Sequence, residues 1–201
     1  MIFNLVYYIA LFSSAIPLLL NAKPPLRIKH TLYRYVTILT LVKFFSDLFV
    51  YVLQIKIQNS LPAFHISVLL EFVLILQILN EIHCNKYLKI QLFIGCIACF
   101  LDLFVTSNFF ENNSISSCIT FGLIIFNSWK ILYSKFDTDR ISLIIIYTFF
   151  FYYIVAFSFV LFQKIYLTDS TVFKSGFNIF AFATLTYNLS FNHIIWSLRK
   201  N

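Results

Sequence analysis

Three carboxylates, Asp47, Glu71 and Asp102, stand inside three separate apolar stretches of a 201-residue chain. In hydrocarbon an ionisable side chain costs roughly 2.5 to 3.5 kcal/mol on insertion scales, so each marks a candidate site. Carboxylates gathered in a dry place can hold a cation, exchange a proton, or divide the roles of acid and base in a hydrolysis. Lys43 lies four residues before Asp47, the spacing that puts two side chains on one face of a helix. That pair can neutralise itself, a structural explanation of Asp47 that competes with the functional one. Glu71 and Asp102 have no oppositely charged neighbour three or four residues away.

Other polar residues are candidates for the same site. His65 precedes Glu71 by six residues, so the two do not share a helix face, yet both can line one cavity. The last apolar stretch carries Asn178, Thr184, Thr186, Asn188 and Asn192. Asn178 and Asn188 are the ligand-binding candidates among them, and interhelical hydrogen bonding is the competing explanation for the group. No metal site is expected, because zinc takes three or four converging ligands and, of His30, His65, His83 and His193, only His65 falls near the carboxylates. No cofactor is expected either, since P-loop, dinucleotide and nucleophile-elbow patterns are missing. Cys96 and Cys99 form a CxxC, but one set within an apolar stretch, where cysteine is also a good packing residue.

The elements that must position these residues follow from composition. Hydrophobic residues make up 60% of the chain and charged ones 11%, with only three glycines, a balance foreign to soluble domains of this size. Seven apolar stretches, at 2–20, 32–54, 63–82, 89–107, 115–134, 141–163 and 176–197, each match the roughly 20 residues a helix needs to span a bilayer. They are continuously apolar rather than alternating, which excludes a barrel. The expected fold is all-α: one domain over residues 1–201, a polytopic bundle of seven transmembrane helices. The first stretch lacks the basic flank of a signal peptide, so it is expected to remain as a helix.

Lysine and arginine fix the expected orientation. Nine of them (Lys23, Arg27, Lys29, Lys86, Lys89, Lys135, Arg140, Arg199 and Lys200) fall on one set of connections and three (Lys56, Lys164 and Lys174) on the other. The positive-inside rule then places the N-terminus outside and the C-terminus in the cytoplasm, in the inner (plasma) membrane. The net charge of +7 is accordingly a topology signal and not a sign of nucleic-acid binding. With a rise of about 1.5 Å per residue, Asp47, Glu71 and Asp102 fall at a similar depth, roughly 10 Å below the outer surface. One shared outward-facing cavity is the expectation.

Two resemblances bear on function. Ser46-Asp47-Leu48 resembles part of the pattern of lysoplasmalogenase-like membrane hydrolases, without the glycines that accompany it there. Taken with His65, Leu69-Leu70-Glu71-Phe72 and Tyr187-Asn188, it is similar to small seven-helix bacterial membrane proteins encoded in AT-rich genomes. The second resemblance implies the same architecture and no particular activity. The expected function is receptor- or sensor-like: binding of a small ligand, cation or proton in the cavity, with a separate cytoplasmic partner for output. The alternatives are an intramembrane lipid hydrolase using paired carboxylates and a transporter of a small solute or ion. A retinal protein is excluded, because Lys174 precedes the seventh stretch.

Overall fold

The computed structural model describes residues 8–10, 12–21, 31–56, 61–102, 114–134, 139–162 and 170–200. Among them are seven helices and no strand: α1 (Ala15–Asn21), α2 (Thr31–Lys56), α3 (Leu61–Ile82), α4 (Leu88–Leu101), α5 (Ser114–Tyr133), α6 (Arg140–Leu161) and α7 (Ser170–Lys200). Four of them, α2, α3, α5 and α6, lie within two residues of the limits set by hydropathy. The described parts of α1 and α4 are shorter than the stretches expected there, and α7 starts six residues early because Ser170, Thr171 and Lys174 extend the helix without adding to its apolar signal. Over residues 115–133, α5 is long and apolar enough to cross a membrane, and so is α6.

Local chemistry explains several boundaries. Asp139 caps α6, its carboxylate accepting from the Ser142 backbone amide at 2.6 Å and satisfying one of the donors left open at a helix start. The short turn from α3 to α4 is organised by Asn85. Its amide nitrogen donates to Gln91 Oε1 at 2.7 Å and to Asn127 Oδ1 at 3.0 Å, while its backbone N–H donates to Asn80 Oδ1 at 2.9 Å. One residue thus ties α3, α4 and α5 together, its side chain holding α4 and α5 and its backbone α3.

The helices form a ring. α2 packs along α3, α3 against α5, α5 along α6 and α6 along α7, while α1 wedges between α7 and α2, and α4 lies outside against α3 and α5. Apolar residues at helical spacing fill the middle: Val36, Ile75, Ile78, Ile124, Ile145, Ile146 and Phe149 are fully buried. Large apolar side chains also cover the outside, among them Leu19, Phe45, Ile66, Phe93, Trp129, Phe151 and Phe182, each at least half exposed. A soluble monomer rarely shows so continuous an apolar surface.

α4 approaches α3 closely because Gly95 lies against the ring of Phe72, where a Cβ would meet Phe72 Cε1 and Cζ. Phe72 is itself almost wholly buried and has little room to give. Gly122 on α5 has open space at the corresponding point. Gly95→Ala should therefore destabilise the fold by about 1–3 kcal/mol through overpacking, whereas Gly122→Ala should be neutral or stabilise it by up to about 1 kcal/mol. Denaturant unfolding of the two variants checks the contrast.

Candidate functional site

Polar chemistry concentrates where α2, α3, α6 and α7 face one another. The i, i+4 spacing on α2 brings Lys43 Nζ to 3.1 Å from Asp47 Oδ1, as the sequence predicts. The same ammonium lies 3.7 Å from Glu71 Oε1 on α3. Two carboxylates from two helices thus share one cation. Glu71 is held further by Ser67, one turn earlier on its own helix, whose hydroxyl donates to Oε1 at 3.0 Å. From α6, the Tyr153 hydroxyl donates to Oε2 at 3.3 Å.

More hydroxyls complete the surroundings. Tyr152 on α6 and Tyr187 on α7 lie within electrostatic reach of Lys43, Asp47 and Glu71, and Tyr152 lies beside Thr184. Ser14, just before α1, faces Asp47. The rings behind these hydroxyls form a seam: Tyr152 and Tyr187 have centroids 4.3 Å apart, and Tyr187 and Phe191 4.8 Å. Such close ring packing gives the rings little freedom, so the hydroxyls stay near the charges. The Tyr187 hydroxyl is buried and makes no hydrogen bond among the described residues. Asp47 Oδ2 is likewise buried without a hydrogen bond among the described residues, and each such group costs about 1–3 kcal/mol.

The space beside the cluster is small. A cavity of about 10 Å³ lies between Lys43, Thr40, Ser14, Tyr187 and Asn188, room for about one water molecule. A space of that size does not fit an organic ligand. A larger apolar groove of about 550 Å³ runs along α2 and α3, walled by residues such as Phe45, Phe49 and Leu70. Ser67 belongs to both features, lining the groove and donating to Glu71.

The expected site residues part company. Asp47 and Glu71 meet through Lys43, and Glu71, which has no charged neighbour at helical spacing, is the member with partners on three helices. Asp102 serves α5 instead: its Oδ2 accepts from the Ser116 backbone N–H at 3.1 Å and from the Ser116 hydroxyl at 2.8 Å. It thereby caps the first turn of a neighbouring helix, a structural employment for a buried carboxylate. Asn178 is exposed on the outer face of α7, away from the interior that a ligand-binding role requires. Asn188 is buried and borders the small cavity, with its amide donating to Ser13 Oγ at 2.8 Å. His65 falls in α3 at a position whose side chain lies outside the described residues. Cys96 is exposed and Cys99 buried, so the CxxC pair faces two environments, and both are free thiols. No group of three or more His, Cys, Asp or Glu able to hold a metal ion occurs among the described residues.

Sequence reasoning missed Ser67 and the tyrosines. Ser67 carries a readable signal, since it precedes Glu71 by four residues as Lys43 precedes Asp47. Tyr153 carries none among twelve tyrosines, and Tyr187 stands in a short motif that does not show where it points, because only the packing of α6 and α7 brings the two to Glu71.

The charge count gives a test. Removing Lys43 leaves two buried carboxylates facing each other, whereas removing one carboxylate leaves a balanced pair. Lys43→Met should cost about 3–5 kcal/mol, and adding Glu71→Gln to it should recover a substantial part. Asp102→Ala should cost about 0.5–2 kcal/mol as the loss of a cap, with no coupling to Lys43→Met. Thermal unfolding of the single and double variants measures each cost and the coupling.

Comparison with known proteins finds no match to this chain among family models, curated proteins or solved structures.

Proposed function

We propose that this chain is a multi-pass protein of the inner (plasma) membrane, with seven spans, its N-terminus outside and its C-terminus in the cytoplasm. Support comes from the apolar outer surface, from two helices long and apolar enough to cross a membrane, and from the nine-to-three split of basic residues. The family it resembles is that of small seven-helix bacterial membrane proteins, on the strength of its short motifs alone. Three of these motifs supply Asp47, Glu71 and Tyr187, which come together at the central cluster.

The function that best fits the geometry is a proton-responsive receptor or sensor. The observation that carries it is one ammonium shared by two carboxylates on two helices. With all three groups ionised the cluster has one negative charge too many, and a low-dielectric interior does not leave such a charge unbalanced. A proton completes the balance with no volume. A second cation would sit against Lys43, and the adjoining cavity holds no more than about one water. Gain or loss of the proton changes the attraction that joins α2 to α3 and so biases their packing. A cytoplasmic partner docking on the basic inner connections would read that change.

Infrared titration of the protein in lipid tests the proposal. A carboxylic C=O band should appear and disappear reversibly with pH, and it should be altered by Asp47→Asn and by Glu71→Gln but not by Asp102→Asn. Spin labels on α2 and α3 should report a pH-dependent change in separation that Glu71→Gln abolishes. A band and a separation that ignore both substitutions would sink the idea.

A second reading, an intramembrane lipid hydrolase, is favoured by one observation: Ser67 lines an apolar groove and is hydrogen-bonded to Glu71, a nucleophile beside a base. Fatty-acid release from lipid vesicles that is lost in Ser67→Ala and Glu71→Gln would establish it in place of the sensor.

A further inference from the structure

We infer that the end of the bundle holding the α3–α4 turn carries an oxyanion site between α3 and α5, and that the phosphate of an anionic phospholipid is the group it takes. The lipid, though not the site, rests on the membrane reading above, and neither depends on proton exchange at Lys43.

A small cavity lies where α3 runs into the turn, bordered by the side chains of Asn80, His83, Asn85, Asn127 and Lys130 among apolar neighbours. At about 10 Å³ it takes one water-sized group, the size of a single phosphate oxygen. Its hydrogen-bonding capacity is one-sided. Asn80 Oδ1 accepts from the Asn85 backbone N–H at 2.9 Å, and Asn85 Oδ1 from the Tyr87 backbone N–H at 3.0 Å. Asn127 Oδ1 accepts from the Asn85 amide at 3.0 Å. The amide oxygens around the cavity are therefore occupied. Because a backbone N–H can face only the oxygen of the Asn80 amide, the orientation of that amide is fixed. Its NH2 is left with two donors and no hydrogen-bond partner among the described residues. Lys130, in the last turn of α5, adds an ammonium that forms no ion pair among the described residues.

The groups that would repel an anion are engaged or turned elsewhere. Among the carbonyls at the two helix ends, Leu79 accepts from the His83 N–H at 2.9 Å, and Lys130 and Ile131 accept from the Ser134 N–H at 3.1 and 3.3 Å. Glu81 is exposed and does not border the cavity. α4 begins three residues after Asn85 without a side-chain cap, so its positive pole lies at the same end. Open donors beside a cation, with the acceptors already used, are what an oxyanion requires.

The surroundings favour a lipid as its source. Trp129 and Tyr133 flank Lys130 on α5, exposed and stacked with ring centroids 5.6 Å apart. Tyr87 is exposed as well, with Lys86 Nζ 4.9 Å from its ring centre. Such rings sit at the level of the headgroups in a bilayer. Under the proposed topology this end meets the cytoplasmic leaflet, where basic pockets between helices hold anionic headgroups.

Native mass spectrometry of the purified protein with phosphatidylglycerol or phosphatidylcholine, and calorimetry with inorganic phosphate, test the site and its source. Phosphatidylglycerol should be retained several-fold more strongly than phosphatidylcholine. Lys130→Gln should remove that preference, whereas Lys89→Gln, at an exposed lysine that does not border the cavity, should keep most of it. Asn80→Asp keeps the acceptor for the Asn85 N–H but replaces the two donors with a charge of the wrong sign, so it should remove the preference too. Lys130 is exposed, so the lysine comparison stands whether or not Asn80→Asp folds. Equal losses in Lys130→Gln and Lys89→Gln would overturn the site, because the attraction would then be diffuse. No lipid preference and no phosphate binding in the unmodified protein would overturn it as well. Phosphate binding that depends on Lys130, without any lipid preference, would uphold the site and overturn the lipid as its occupant.

Discussion

Lys43 faces a demand it cannot meet alone, because two carboxylates approach it from two helices and it carries one charge. Much of the centre of the bundle is arranged around that mismatch. Ser67 and Tyr153 each donate to Glu71, and Tyr152 and Tyr187 bring their hydroxyls up from the opposite wall. Hydrogen bonds to a carboxylate spread its charge, but they do not cancel it. The aromatic seam behind the tyrosines keeps those hydroxyls in place, so polar satisfaction here depends on apolar packing a layer further out.

The ring of helices explains why this region is central. α2, α3, α5 and α7 each have three helical neighbours, while α4 stands outside. A residue on the inner face of α3 therefore meets α2 on one side and reaches α6 across the middle, as Glu71 does. Asp102, at the end of α4, has no such outlook and is taken up by the start of α5. Two carboxylates expected at similar depth thus do different work because their helices occupy different places in the ring.

That division shows what is legible in the chain and what is not. Helix limits for α2, α3, α5 and α6 follow from apolar runs, since length and hydropathy are properties of one segment. The Lys43–Asp47 pair is equally legible, because i, i+4 contact is settled within a helix. Depth along the bundle axis can be estimated for every carboxylate, but direction around the axis cannot. It depends on which helices neighbour one another, and spacing within a segment holds no trace of that. Asn178 and Asn188 illustrate the difference: ten residues apart on α7, one is exposed and the other borders the cavity. Polar content marks the helix without marking the face.

Under the proposed membrane topology, the placement of Lys43 and Asp47 on one helix also bears on how the chain would be made. Helices delivered to a bilayer one after another must each be tolerated before their partners arrive. α2 brings Lys43 and Asp47 four residues apart, so these two central charges can neutralise each other as it enters. α3 follows with Glu71 supported only by Ser67 from its own turn, and its stronger partners lie on α2, already present, and on α6, still to come. The cross-helix contact to Lys43 is therefore available as soon as α3 is inserted, whereas the Tyr153 hydrogen bond must wait for most of the chain. Biogenesis would assemble the centre in that order: first the pair, then the shared lysine, and last the aromatic wall.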